Sequence, residues 1–293
     1  MKKDLVIGGI GGYEYHQIQN WVNSLNKSGF TGDKILISYG SSQEVIDKLE
    51  QEGIDVYEIG HDGFGNELDL ITHSGEVTRE NAFRLVHNLR FFHIWQLLKQ
   101  LKEDGTEYNR VITTDVRDVI FQYNPSDWLD NNQNRDMHII APSESVMYEH
   151  ESWNRDNFIK SFGGLIWNYL GKDLLVCNVG TFAANYDTFM DLSLMIYMTA
   201  VGFWHSDQPG FNVLVNTAFK DKTQFVDADD AWVGQIGTLV ENRARIGEHI
   251  LNDEPSMNNG IVVNSKGEKF CLVHQYERVP GWEDIITKKY NEI

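Results

Sequence analysis

Along the first 60 residues, short apolar runs alternate with segments whose apolar residues recur at helical spacing. "DLVIGGI", "DKILISYG" and "IDVYEIG" read as strands, bounded by turn residues. Between them, "YEYHQIQNWVNSLNKSG" places Ile18, Trp21, Val22 and Leu25 on one helical face, and "SSQEVIDKLEQEG" is a second helix opened by a serine cap. The order β-α-β-α-β predicts a parallel sheet with right-handed crossovers. Residues 61–77 read as a loop. From 79 to 102, Phe83, Val86, Leu89, Phe92, Ile94, Trp95 and Leu98 recur as on a helix, which leads into "RVITTDVRDVIFQYNP" at 110–125, a strand that ends in carboxylates.

The second half continues with a strand in "MHIIAPSESV", a short helix in "RDNFIKSFG" and a strand pair in "DLLVCNVGTFAAN". Helices follow in "DTFMDLSLMIYMTAVG" and "SDQPGFNVLVNTAF". Trp95, Trp167 and Trp204 fall in core-like patterns. "NGIVVNSKGEKFCLVHQY" reads as a C-terminal hairpin turning at Asn264–Gly267. The expected class is α/β: a mixed, mainly parallel, Rossmann-like central sheet flanked by helices. Ligands in such sheets sit at the carboxyl ends of strands.

The 293 residues suffice for one large α/β domain, and a single domain is the expectation. A formal charge of −18 would repel phosphate backbones, which excludes nucleic acid and anionic membrane as natural partners. An anionic substrate then calls for a local cation. "MKKDLVIGGIGG" fits neither a signal peptide nor an anchor, and no segment is long enough to span a bilayer. Cys177 and Cys271, the two cysteines, lie in apolar contexts and read as reduced core thiols, so the expected setting is cytoplasmic.

Several motifs carry chemistry. In "TTDVRDV", Asp115 and Asp118 leave the sheet together and can converge on Mg²⁺ or Mn²⁺, which take a few carboxylates plus phosphate oxygens. The structural alternative has one aspartate capping a turn and the other paired with Arg117. "FCLVHQYER" ends a strand in His274, a candidate metal ligand, with Arg278 placed for phosphate. Asn178 and Gly180 of "CNVGTF" suit close backbone approach and hydroxyl recognition. Ser206, Asp207, Gln208 and Pro209 form a helix start in "SDQPGFN". "GGIGGY" lacks both the G-x-G-x-x-G pattern and a Walker lysine, yet Gly11, Gly12 and Tyr13 could border a nucleotide base. Arg84, His87 and Arg90 form a polar helical stripe, with Arg90 nearest the aspartate strand.

In this order, the motifs resemble the GT-A superfamily of nucleotide-sugar glycosyltransferases. The same order is similar to that of the retaining family that includes glycogenin and bacterial galactosyltransferases, whose motifs are Asp-x-Asp, Asn-Ala-Gly, Asp-Gln-x-x-x-Asn and a late His. The resemblance spans most of residues 4–282. It implies that Asp115, Asp118 and His274 hold Mn²⁺ (or Mg²⁺) on the donor diphosphate, that Asn178 and Asp207 bind the donor sugar with Gly180 beside them, and that Gln208 lies by the anomeric carbon. The turn at Gly11, Gly12 and Tyr13, with Arg90 and Arg117, would serve the nucleotide, and Arg278 the phosphate. Here two residues separate Asp115 from Asp118, where the family has one, and Asn-Val-Gly replaces Asn-Ala-Gly. A metal-independent site with Arg117 on phosphate is therefore an alternative.

The expected activity is transfer of a hexosyl or pentosyl group from a UDP- or GDP-sugar to a hydroxyl on a glycan or other acceptor. Residues 1–125 would form the nucleotide-binding half and 126–293 the donor-sugar and acceptor half, with acceptor contacts in 143–165 and 229–257. Whether configuration is retained or inverted is open. Two other readings compete: a haloacid-dehalogenase-like phosphatase, suggested by the paired aspartates and a later "DADD", and a non-catalytic sugar-nucleotide-binding protein.

Overall fold

The computed structural model describes residues 2–59, 79–200 and 205–291, with side chains of the helix at 79–103 described from residue 87 onward. The expected loop at 61–77, the Arg84 side chain and Trp204 lie outside the described residues.

Strand β1 (Leu5–Gly11) is buried along its whole length, as a strand covered by helices on both faces must be. It pairs in parallel with β2 (Asp33–Tyr39) and with β4 (Arg110–Thr113), and β2 pairs in parallel with β3 (Asp55–Ile59). Beyond β4 the sheet turns antiparallel through β8 (Ala183–Asn185) to β6 (Ile139–Met147). There β7 (Leu175–Cys177) and β9 (Thr223–Val226) complete eight strands, in the order β3-β2-β1-β4-β8-β6-β7 with β9 on β6. The result is a large, mainly parallel, mixed sheet.

Helix α1 (Tyr15–Lys27) buries Ile18, Trp21, Val22 and Leu25, the face predicted from their spacing. Helix α2 (Gln43–Gln51) opens on Ser42, whose side chain accepts from the Val45 amide. Both pack on one face of the sheet, in a core with Val6, Leu36 and Ile112. The opposite face is covered by α3 (Arg79–Glu103) and, after the short α4 (Pro125–Asn132) and α5 (Ser152–Tyr169), by α6 (Tyr186–Thr199) and α7 (Asp207–Asn216). On α3 the buried stripe is Leu89, Phe91, Ile94, Leu97 and Leu98, while Phe92 and Trp95 are half-buried.

A second, three-stranded sheet is formed by β10 (Val233–Gln235), β13 (Leu272–His274) and β5 (Val119–Phe121), the strand that follows β4 in the chain. The turn at Asn264–Gly267 forms, with Gly267 N donating to Asn264 O at 3.0 Å. Pairing across it is a single Val263–Lys269 bridge. The hairpin proper joins β11 (Ser256–Asn258) to β12 (Ile261–Val263), and β13 instead joins β5 and β10. Cys177 and Cys271 are free, buried thiols. Among the described residues, no helix is long and apolar enough to cross a membrane.

Candidate active site

The chain leaves β4 through Thr114 and enters β5 at Val119, so Asp115 and Asp118 occupy a tight link at the carboxyl edge of the sheet. The Asp115 amide donates to Gly180 O at 2.7 Å, tying this link to the segment after β7. Antiparallel pairing sets His274 opposite Val119, and Gln275 N donates to Asp118 O at 2.7 Å. Sequence-distant His274 thus arrives beside both aspartates.

His274 is fully buried, and its Nε2 stands 3.7 Å from Asp115 Oδ2 and 3.5 Å from Asp118 Oδ2 without a hydrogen-bond partner. Its Nδ1 is 2.7 Å from Gln235 Oε1. Gln235 in turn donates through Nε2 to Thr181 Oγ1 at 3.0 Å, which fixes its amide oxygen toward the histidine. In neutral His274 the proton therefore sits on Nδ1, and the Nε2 lone pair faces the carboxylates. A buried ring nitrogen left without a bond and aimed between two carboxylates is what a cation site needs. The three ligand atoms lie within 4.8 Å of one another. Asp115, Asp118 and His274 suit Mn²⁺ or Mg²⁺ with open positions for phosphate oxygens.

Arg90 organises the opposite side. Its side chain is buried, its Nη1 contacts Asp115 Oδ1, and its Nη2 lies 3.7 Å from Asp207 Oδ2. Asp115 thus divides its oxygens, one to Arg90 and one toward His274. Burial pushes the Asp115 carboxyl up, but Arg90 and His274 outweigh it and hold it down at about 2. Asp207 goes the other way: burial raises it to about 6, with Arg90 pulling against the rise. Burial lowers His274, yet Asp118 and Asp115 prevail and raise it. The structure thus pairs Asp115 with Arg90 rather than with Arg117, which is exposed.

Gly180 is required where it stands. A Cβ there would lie 2.3 Å from Asp115 Oδ2, so only glycine lets the carboxylate reach this position. Asn178 Oδ1 accepts from the Gly180 amide at 2.8 Å. Asn212 brackets Cys177, receiving its N–H and donating to its C=O, both at 2.7 Å, which clamps α7 against β7 and sets Gln208 next to Asn178.

The residue that sequence reading missed is Glu144. β6 loses its register on β7 between Ser143 and Met147, and Ser145 has φ 60°, so a bulge turns the buried Glu144 into the site. Its Oε1 accepts from Asn178 Nδ2 at 2.9 Å and Gln208 Nε2 at 3.1 Å. Its Oε2 accepts from Thr238 Oγ1 at 3.2 Å and Asn154 Nδ2 at 3.4 Å. A carboxylate can only accept, so it dictates which way both amides point. Gln208 Nε2 also donates to Asn154 Oδ1 at 2.6 Å, and its Oε1 receives the Val179 amide at 3.3 Å.

These groups line one cavity of about 510 Å³, which brings together Arg90, Asp115, Asp118, Asn178, Gly180, Asp207, Gln208, His274 and Arg278. Gly11, Gly12, Tyr13 and Arg117 do not line it. Gly12 has φ 66° in the turn after β1. The Tyr13 hydroxyl is raised to about 12, by burial first and then by Asp115 and Asp118, so it feels both carboxylates.

No protein-family profile matches the chain, and no curated protein matches it. Solved structures do. Mouse xyloside xylosyltransferase 1 in its apo form superposes with a TM-score of 0.55 at 12% identity, over 93% of this chain and 97% of that one. The galactosyltransferase LgtC, in complex with donor and acceptor sugar analogs, gives 0.53 at 12% identity over 99% and 97%. An active-site mutant of LgtC gives 0.55 at 11% identity over the same shares. At such identities the likeness is one of architecture, and the chain adopts the GT-A fold.

Proposed function

We propose that this chain is a glycosyltransferase that moves a hexosyl or pentosyl group from a UDP- or GDP-sugar to a hydroxyl acceptor, assisted by Mn²⁺ or Mg²⁺. The observation that carries the proposal is the convergence of Asp115, Asp118 and the unpartnered Nε2 of His274 at the rim of a polar cavity on a GT-A fold. The solved neighbours by their names include a xylosyl- and a galactosyltransferase, which supports the transferase class and leaves both sugar sizes open. The aspartates lie on the link between the fourth and fifth strands of this fold, which sets aside the dehalogenase-like phosphatase reading.

Transfer breaks the bond between the anomeric carbon and the diphosphate oxygen. The electron pair leaves with the diphosphate, the acceptor hydroxyl oxygen bonds to the anomeric carbon, and the hydroxyl proton passes to the diphosphate or to solvent. A cation held by Asp115, Asp118 and His274 would neutralise charge on the leaving diphosphate. Arg278, on the cavity wall, adds a guanidinium for phosphate. Gly11, Gly12, Tyr13 and Arg117 border the nucleotide in this assignment, within a nucleotide half at 1–125. Arg90 acts on that side through Asp115, whose ionised state it secures.

In the other half, 126–293, Asn178 and Asp207 would hold the donor sugar. Gln208 uses both amide protons on Glu144 and Asn154, so only its carbonyl oxygen has a lone pair to spare for the sugar face. The test is release of nucleoside diphosphate from a panel of UDP- and GDP-sugars with Mn²⁺, with and without glycoside acceptors. Turnover that needs the metal and fails in Asp118→Ala is expected. Absence of release from every donor would overturn the proposal.

A further inference from the structure

The cavity wall holds one feature that the transfer chemistry does not use. Trp153, in the first turn of α5, is 51% exposed although it lines the cavity. Its indole meets His205 edge-on with ring centroids 5.4 Å apart, and His205 lies 5.4 Å from His87. The wall beside it is hydrogen-bonding: Arg245 donates to Glu151 Oε1 at 2.7 Å, to Ser152 Oγ at 3.2 Å and to Asn242 Oδ1 at 3.0 Å. These bonds hold the segment at 242–245 against the start of α5. Asn242 spends its amide on Gly237 O at 2.8 Å and Glu241 Oε2 at 2.7 Å, which leaves Glu241 and Arg245 as the groups of this wall with capacity to spare.

Among the described lining residues, Trp153 and Val179 are the only ones with apolar side chains, and Val179 is buried. An exposed indole in a wall of carboxylate, amide and guanidinium groups fits a ligand with one flat C–H face and a hydroxyl-bearing edge. We propose that the Trp153 wall of the cavity is the acceptor subsite and that it takes a saccharide, with the face of one pyranose ring on Trp153 and its hydroxyls served by Glu241 and Arg245. The inference rests on the transferase reading and names its acceptor class.

The test is titration of the full chain with methyl α- and β-pyranosides of glucose, galactose, mannose and xylose, and with lactose and maltose. Binding is followed by saturation-transfer-difference NMR and calorimetry, with and without Mn²⁺ and UDP. At least one saccharide is expected to bind. Trp153→Ala should weaken it tenfold or more, and Trp153→Phe should bring it back to within about threefold of the wild type, since a smaller aromatic face remains. Melting curves of both variants confirm that they are folded. Binding of no saccharide, or equal binding by wild type and Trp153→Ala, would overturn the proposal. A melting temperature raised by Mn²⁺ with UDP reports on the transferase reading separately, so a chain that shows this rise but binds no saccharide fails in its acceptor assignment alone.

Discussion

Glu144→Gln tests whether a single carboxylate sets the orientation of the amides in the candidate site. The substituted glutamine would keep one carbonyl oxygen, best directed at Asn178 and Gln208, whose bonds to Glu144 are the shorter two at 2.9 and 3.1 Å. Its amide nitrogen would then face Thr238, whose hydroxyl can turn to accept. It would also face Asn154, which retains Glu151 Oε2 at 3.1 Å. The loss is mainly the charge on two buried bonds, about 1 kcal/mol each, or roughly 2 kcal/mol in all. For 293 residues, that corresponds to a fall in melting temperature of roughly 3 °C. Glu144→Ala takes the shared acceptor from four donors, of which Asn178 and Thr238 keep no other side-chain acceptor, and leaves a void beside them, so it should be far more damaging. Thermal melts by circular dichroism at pH 7.5 measure both. A Glu144→Gln melting temperature within about 1 °C of the wild type would refute the reasoning, because it would mean that the carboxylate's charge holds nothing in place.

Three further outcomes are expected. Since burial raises Asp207 to about 6 from 3.8, the folded chain keeps a proton that the unfolded chain releases. Its contribution favours folding below about pH 4 and is lost as pH rises through 6. Asp207→Asn should therefore raise the melting temperature at pH 7.5, by up to about 3 kcal/mol in stability, with no advantage at pH 4 and with transfer abolished; melts across pH read the sign directly. Gly180→Ala forces a methyl to within 2.3 Å of Asp115 Oδ2, so the carboxylate must move. Its Mn²⁺ affinity by calorimetry should fall at least tenfold, at a stability cost of about 1–3 kcal/mol. Asn212→Ala removes both bonds to Cys177 and should cost about 2–3 kcal/mol by chemical denaturation, lowering turnover by loosening Gln208.

Much of this site can be read along the chain, because residues at strand ends announce themselves. Asp115 and Asp118 follow an apolar strand, His274 ends another, and Asp207 and Gln208 open a helix. Their meeting cannot be read in the same way. His274 reaches Asp118 only through the pairing of β13 with β5, strands from opposite halves of the chain, and local periodicity carries no record of that register. The same limit explains why β13 seemed to belong to a simple hairpin. Glu144 escaped for another reason. A bulge re-aims it, and the sole signal was Ser-Glu-Ser inside an otherwise apolar strand. Arg90 stood out as part of a polar stripe on α3, yet its partners Asp115 and Asp207 come from two other elements. Trp153 stood in a stretch expected to meet the acceptor, and only the fold reveals it as an exposed indole inside a polar cavity.

The central claim is that Asp115, Asp118 and His274 form a cation site that couples to a nucleoside diphosphate. Thermal-shift titration with UDP and GDP, each with Mn²⁺, with Mn²⁺ alone and with the nucleotide alone, tests it most directly. The account predicts that one nucleotide raises the melting temperature with Mn²⁺ by more than the sum of the two separate shifts, and that Asp118→Ala and His274→Ala lose this excess. No excess with either nucleotide, or an undiminished excess in Asp118→Ala, would contradict it.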